Sequence, residues 1–384
     1  MRRARIGATS SAESGYLEQY PGHPIERKGK RALSGAIRKN FASDNTSPVC
    51  PEVMAALARA NEGDAMSYGN DPLTKALSAR LSDVFEAPVA AYPVATGTAA
   101  NSLTLSALTP PFGAVLCDES AHIATDEGGA PEFFTHGAKL LTLSSADGRM
   151  DPDAVSRALT DNAHGGIHTS PIRALSLTQA TEWGTVYPLD HLRALTQTAH
   201  DADVPVHLDG ARLSNAIVHL GCSPADVTWR AGVDVMTLGG TKNGAMAAEA
   251  IVFFHNGRAR AHEADFLRRI KRSGHLWSKQ RYVAAQMLAL YEGDLWRHNA
   301  TAANETASLL ATGLAKRSGV LLPFETQSNE VFAVLPETRV EALEAAGYVF
   351  YRWPTPPGVD GILIRLVTCF ATTKNDVAAL LDAV

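Results

Sequence analysis

Lys242 lies in the stretch DVMTLGGTKNGAMAAE, residues 234–249, where an apolar run closes on two glycines and small residues follow, with alanines suited to a helix. A solvated lysine needs no such confinement, whereas an amine that attacks a carbonyl does. VPVHLDGARLSN sets Asp209 at the end of another apolar run, where a buried carboxylate requires a partner. Arg212, three residues on, could pair with it or with a bound anion; the bland alternative is a capping Asp beside a surface ion pair. In AAYPVATGTAAN, Thr96, Gly97 and Thr98 open a helix, so free N–H groups and two hydroxyls face one point. That arrangement suits a phosphate, although a threonine there also serves as a simple cap. The three together match the needs of pyridoxal phosphate: an amine for its aldehyde, an acid for its ring nitrogen, and a helix start for its phosphate.

These residues must be held at one rim, and the pattern around them supplies the frame. From about residue 70, short apolar runs alternate with helical stretches: AAYPVATG, AVLCDES, KLLTLS, RALSLTQA, VPVHLDGAR, DVMTLGG and AEAIVFFHN are strand-like. Strands separated by helices imply crossovers, hence an α/β fold with a mostly parallel sheet covered on both faces. In such sheets ligands sit beyond the carboxyl ends of the strands, where Asp209 and Lys242 fall. Residues 260–315 read as long charged helices, and NEVFAVLP, VEALEAAGYVF and GILIRLVTCF as strand, helix and strand before a closing helix. The expected organisation is a polar basic arm (1–38), a lead-in segment (39–65), a large α/β domain (66–289) and a small α+β domain (290–384).

Composition narrows the function classes. The 384 residues are 45% hydrophobic and 20% charged, as in an ordinary globular protein with a sizeable core. A formal net charge of -5 argues against nucleic acid as the partner. No run reaches the length of a membrane span, and the start carries arginines without an apolar signal core. Cys50, Cys117, Cys222 and Cys369 are widely spaced, which points to a reduced, cytoplasmic compartment. His207 shares a strand face with Asp209, and His200, Asp201 and Asp203 lie upstream, but no second cluster has metal-ligand spacing, so no metal is expected.

Six ordered stretches carry a further resemblance: FASDNTSPV, YGNDPLT, ATGTAAN, HLDGARL, GGTKNG and RLVT. With them the chain, from about 41 to 373, resembles the low-specificity L-threonine aldolases. These belong to the aspartate-aminotransferase-like (fold-type I) pyridoxal-phosphate enzymes, whose seven-stranded-type sheet and smaller C-terminal domain the resemblance implies. Carried over, it implies that Lys242 bears the cofactor, Asp209 meets the ring nitrogen, and Gly97 and Thr98 hold the phosphate with Thr241 nearby. His122, in DESAHIATDEGGA, would stack on the ring. Ser43, Arg212 and Arg365 would orient the amino acid, with Arg365 on its carboxylate; Arg212 is equally placed for the cofactor's 3′-oxygen. A guanidinium fork matches a carboxylate bidentately, which makes these roles physically sensible; without the resemblance Arg365 would pass for an edge-strand arginine.

The implied reaction is retro-aldol cleavage of the Cα–Cβ bond of L-threonine, L-allo-threonine or a related β-hydroxy-α-amino acid. One departure concerns the β-hydroxyl. Where many relatives have Asn-Thr-His-Asn-Gly this chain has TQATEWG, so Glu182 or Trp183 stands at the second histidine. The base is then His122, a phosphate-bound water or Glu182; Trp183 either admits an aromatic substrate, as in β-phenylserine, or packs. Rival functions are β-elimination or amino transfer with the same cofactor, a catalytically silent cofactor-binding module, and a nucleotide-binding oxidoreductase, which lacks its glycine fingerprint. The resemblance also implies a homodimer or homotetramer, in which Lys279 of SGHLWSKQRY reaches a neighbour's phosphate; a solvated basic face explains the same residues.

Overall fold

The computed structural model describes residues 38–355 and 358–384, and the polar arm read over residues 1–38 lies outside them except for its last residue. Its strands in chain order are β1 (Lys39–Asn40), β2 (Val89–Val94), β3 (Ala114–Asp118), β4 (Lys139–Leu143), β5 (Ile172–Thr178) and β6 (Val206–Gly210). They continue with β7 (Val235–Gly239), β8 (Glu249–Phe254), β9 (Glu330–Leu335), β10 (Tyr348–Val349), β11 (Tyr351–Trp353) and β12 (Ile362–Val367). Seven form one sheet in the order β2-β8-β7-β6-β5-β3-β4. Only β8 runs against its neighbours; the pairs among β4, β3, β5, β6 and β7 are parallel. The mostly parallel α/β architecture read from the alternating pattern is therefore present.

The sheet is covered on both faces. Along β7 and β8, Met236 and Val252 pack into one apolar cluster with Leu177, Leu208 and Met287, whereas Val235, Ile251 and Phe253 pack into another with Leu103 and Val115. Side chains alternate across a strand, so a two-sided core demands the near-continuous apolar runs seen in the sequence. A second sheet, ordered β11-β12-β9 and antiparallel, is backed by the helices Leu295–Ala315 and Lys374–Ala383. Arg365 thus stands in its middle strand, not at an edge.

Two local expectations are corrected. The alanines after Lys242 lead into β8 and not into a helix, because Gly244 turns the chain at φ +104° and the strand beyond must reverse into the sheet. The stretch 260–315 is helical as read, but not charged throughout. It contains the helices Phe266–Arg272, Arg281–Tyr291 and Leu295–Ala315, and the middle one is buried along most of its length. The lead-in segment is anchored as well: β1 pairs with β10, and Phe41 O accepts from the N–H of Val367, the last residue of β12, at 2.7 Å.

Candidate active site

Lys242 projects from a one-turn helix, Thr241–Asn243, between Gly240 and Gly244. The turn is pinned from several sides. Asn299 Nδ2 donates to Asn243 O at 2.9 Å, and Asn243 Nδ2 donates to Trp296 O at 2.9 Å. A Cβ on Gly244 would stand 2.9 Å from Asn299 Nδ2 and 3.2 Å from Cys50 Sγ, so glycine fills a place that is crowded as well as left-handed. Beneath lies buried Glu249, whose Oε2 accepts from Gly240 N–H at 2.8 Å. Burial foremost pushes the Glu249 carboxyl up to about 7, against its bonds to Thr241 and Gly240 and the charge of Lys242.

One strand away, Asp209 is buried and its carboxylate satisfied without a cation. Oδ1 accepts from Ala211 N–H at 2.9 Å and Oδ2 from Asn101 Nδ2 at 2.7 Å, leaving lone pairs for one more donor. Asn101 sits one turn into the helix Gly97–Leu108, accepts from Thr237 Oγ1 at 2.7 Å, and donates also to Glu127 Oε1 at 2.8 Å. Glu127 in turn meets His122 Nδ1 at 3.0 Å. Burial works to lower the His122 pKa, but the bond to Glu127 and the charges of Glu182 and Asp209 outweigh it and leave the imidazole above its ordinary value. The same helix start is capped by Thr96, which accepts from Ala99 N–H at 3.2 Å. That leaves the amides of Gly97 and Thr98 with no acceptor among the described residues, at half-buried positions beside the rim.

The third group is a buried cluster of charge. Arg212 does not turn to Asp209. It places Nε 2.8 Å and Nη2 3.1 Å from the two oxygens of Asp44, and Nη2 also lies 3.4 Å from Glu330 Oε1. Asp44 accepts from Asn329 Nδ2 at 3.0 Å as well, and although burial works to raise its pKa, Arg212 and Lys242 hold it below the usual carboxylate range. Arg365 completes the cluster, with Nη1 3.4 Å from the same Glu330 oxygen and Nη2 donating to Ala42 O at 3.3 Å. Ser43, next in the chain, caps the Asp44–Thr46 turn by accepting from Asn45 N–H at 3.1 Å. Lys242, Asp44 and Arg212 therefore adjoin one another, with Arg365 joined through Glu330.

Other predicted positions fall as follows. Thr241 accepts from Ala248 N–H at 3.1 Å and bonds Glu249. Glu182 is half-buried, and its charge acts on His122, Arg212 and Glu330. Trp183 packs against Phe324 and Phe332 at ring-centroid distances of 5.1 and 5.4 Å. Lys279 is exposed. His207 is a core residue: Ser176 and Thr237 hydroxyls take its two nitrogens at 3.0 and 3.3 Å, and burial lowers its pKa to about 4. His200 bonds Asp234 at 2.9 Å.

Comparison with known proteins decides the family. Residues 40–338 match the family model of the beta-eliminating lyases. A low specificity L-threonine aldolase of Pseudomonas aeruginosa is 44% identical over 82% of this chain and 89% of its own. The chain belongs to the low-specificity L-threonine aldolase family. A second relative with that name, from another Pseudomonas, is 42% identical over the same shares. Among solved structures, threonine aldolase of Leishmania major superposes with a TM-score of 0.82 at 25% identity, covering 89% of this chain and 97% of that one. The resemblance read from the six stretches is thereby established, together with its aminotransferase-like fold and its class as a carbon–carbon lyase. Asn101, Glu127, Asp44, Glu249 and Glu330 were not singled out from the sequence, although the first four lie inside the stretches quoted for their neighbours.

Proposed function

We propose that this aldolase-family chain binds pyridoxal phosphate through Lys242 and cleaves β-hydroxy-α-amino acids, L-threonine and L-allo-threonine foremost, to glycine and an aldehyde. The observation that carries the proposal is the single rim shared by Lys242, the Asp209 carboxylate and the spare Gly97 and Thr98 amides. The residues fit the cofactor: a carboxylate with an acceptor site to spare suits a protonated ring nitrogen, and two uncommitted amides at a helix start suit a phosphate. When bound, pyridoxal phosphate supplies an aldehyde for the substrate amine and a sink for the electron pair left at Cα.

The chain does the rest. Arg365 and Ser43 hold the amino acid's carboxylate and so decide which bond at Cα stands in the reactive direction. Asp209, fixed by Asn101 and Ala211, keeps a proton on the ring nitrogen. The β-hydroxyl proton passes to His122 or to the Glu182 carboxylate, whose charge acts on that imidazole. Trp183 is committed to packing, so an aromatic substrate is not specially favoured. The larger and smaller domains are read as 66–289 and 290–384, the assembly as a homodimer or homotetramer, and the compartment as cytoplasmic; no helix among the described residues is long and apolar enough to cross a membrane.

Incubation with L-threonine tests the reaction. Acetaldehyde and glycine are expected; 2-oxobutyrate and ammonia would instead establish β-elimination. Borohydride treatment of the freshly purified protein should label Lys242 in a peptide map. Parallel assays with L-allo-threonine and β-phenylserine rank the substrates.

A further inference from the structure

The two guanidinium groups assigned to the amino-acid side of the site share one internal counter-ion. Glu330 Oε1 stands 3.4 Å from Arg212 Nη2 and 3.4 Å from Arg365 Nη1. Otherwise the arginines are held unequally. Arg212 keeps a two-point fork on Asp44 at 2.8 and 3.1 Å. Arg365 has only the Ala42 carbonyl at 3.3 Å and the faces of Trp353 and Tyr351, whose centroids lie 4.5 and 5.4 Å from its central carbon. Arg365 Nε is buried without an acceptor among the described residues, and Glu330 Oε2 is buried without a donor.

Ion-paired N–H···O bonds close to about 2.7–2.9 Å when geometry permits, so the Asp44–Arg212 fork is the formed pair and the Glu330 contacts are the slack ones. Backbone freedom cannot take up that slack. Glu330 opens β9, Ser328 Oγ donates to Gly184 O at 3.0 Å, and a Cβ on Gly184 would stand 3.0 Å from Glu330 Cβ. The Arg365 guanidinium is the less tethered partner, with the Trp353 ring centroid 4.5 Å from its central carbon. With Glu330 ionised, the charges of Asp44, Arg212, Glu330 and Arg365 balance; burial pushes the Glu330 carboxyl up while the two guanidinium groups pull it down.

We propose that Glu330 is a positioning residue that stands in for the substrate carboxylate: it holds Arg365 in the empty site and yields it when an amino acid binds, while Arg212 remains with Asp44. The proposal rests on the amino-acid lyase reading above. Glu330 is thus a competitor as well as a support. It spares the empty site an unpaired buried cation, and it lowers apparent affinity by the fraction of molecules in which Arg365 is parked.

A charge-free isostere separates competition from simple support. Glu330→Gln is expected to lower both KM for L-threonine and the glycine dissociation constant, read from cofactor absorbance, by roughly 3- to 10-fold with little change in kcat. Its melting temperature should fall without ligand, and saturating glycine should raise it more than in the wild type. Should that variant not fold, Glu330→Asp keeps the charge but withdraws the oxygen by one methylene, and is expected to lower KM by a smaller factor. An unchanged or increased KM in whichever variant is folded overturns the proposal. Wild-type protein that neither releases glycine from L-threonine nor changes absorbance with glycine would instead sink the lyase reading, so the two failures are distinct.

Discussion

Glu127 raises the His122 pKa through one bond, and Asn101 ties that pair to the Asp209 carboxylate. With its folded pKa above the ordinary value near 6.5, His122 contributes stability that is complete below that value and lost as pH rises through the folded pKa. Glu127→Gln should therefore move the His122 titration, followed by NMR of the imidazole, to lower pH; an unmoved titration would assign the shift to Glu182 and Asp209 instead. Asp209→Asn keeps the shape of the side chain and removes its charge, and kcat should fall by roughly 10²–10³-fold in steady-state assays, as when a preorganised electrostatic partner is lost. Lys242 and Asp209 stood out because each follows an apolar run, whereas His122 was singled out only through the family resemblance. The partners of Arg212 and Arg365 were not singled out at all. Asp44 lies 168 positions from Arg212 and Glu330 lies 35 from Arg365, and no local pattern records a pairing made across the fold.

At the level of elements, the rim depends on two strand ends passing each other closely. Gly239 ends β7, and a Cβ there would lie 2.3 Å from Ala211 O and 2.8 Å from Ala211 Cα, backbone that cannot swing aside. Gly239→Ala must push the segment after Asp209 away from the Lys242 turn; we expect about 1–3 kcal/mol of destabilisation in urea unfolding, as for overpacked cores, with a larger loss of cofactor affinity. Thr96→Ala is milder. It removes the cap on the helix Gly97–Leu108 and should lower stability by about 1 kcal/mol in the same experiment. Such elements were the most legible part of the chain, because apolar alternation and capping residues act over a few neighbours. The reversed β8 was not, since AMAAEAIVFF favours neither direction and only the sheet, with β2 and β7 on its two sides, imposes one. The buried helix Arg281–Tyr291 misled in the same way: its glutamine and arginine suggest a wet surface, while tertiary packing covers most of it.

For the whole molecule, the proposed assembly makes a prediction that a lone subunit cannot satisfy. Lys279 is exposed, and near it Trp277 and Tyr68 leave 42% and 45% of their surfaces open, with Tyr68 N–H bonded to Ser278 O at 3.1 Å. Apolar side chains exposed together mark a surface that another chain covers, and a basic residue at its margin is then free to reach into that chain's site. If each site takes Lys242 from one subunit and Lys279 from its neighbour, two crippled variants should repair each other. Lys242→Ala abolishes turnover at its own site, and Lys279→Ala weakens cofactor retention at the neighbour's. In a mixed dimer one site carries both lesions and the other carries neither. Refolding the two variants together at equal amounts makes half the dimers mixed, so about a quarter of wild-type sites should return, measured as glycine release per subunit at limiting cofactor. Activity equal to the mean of the two separate variants would place Lys279 outside the partner's site and leave its charge to solvent.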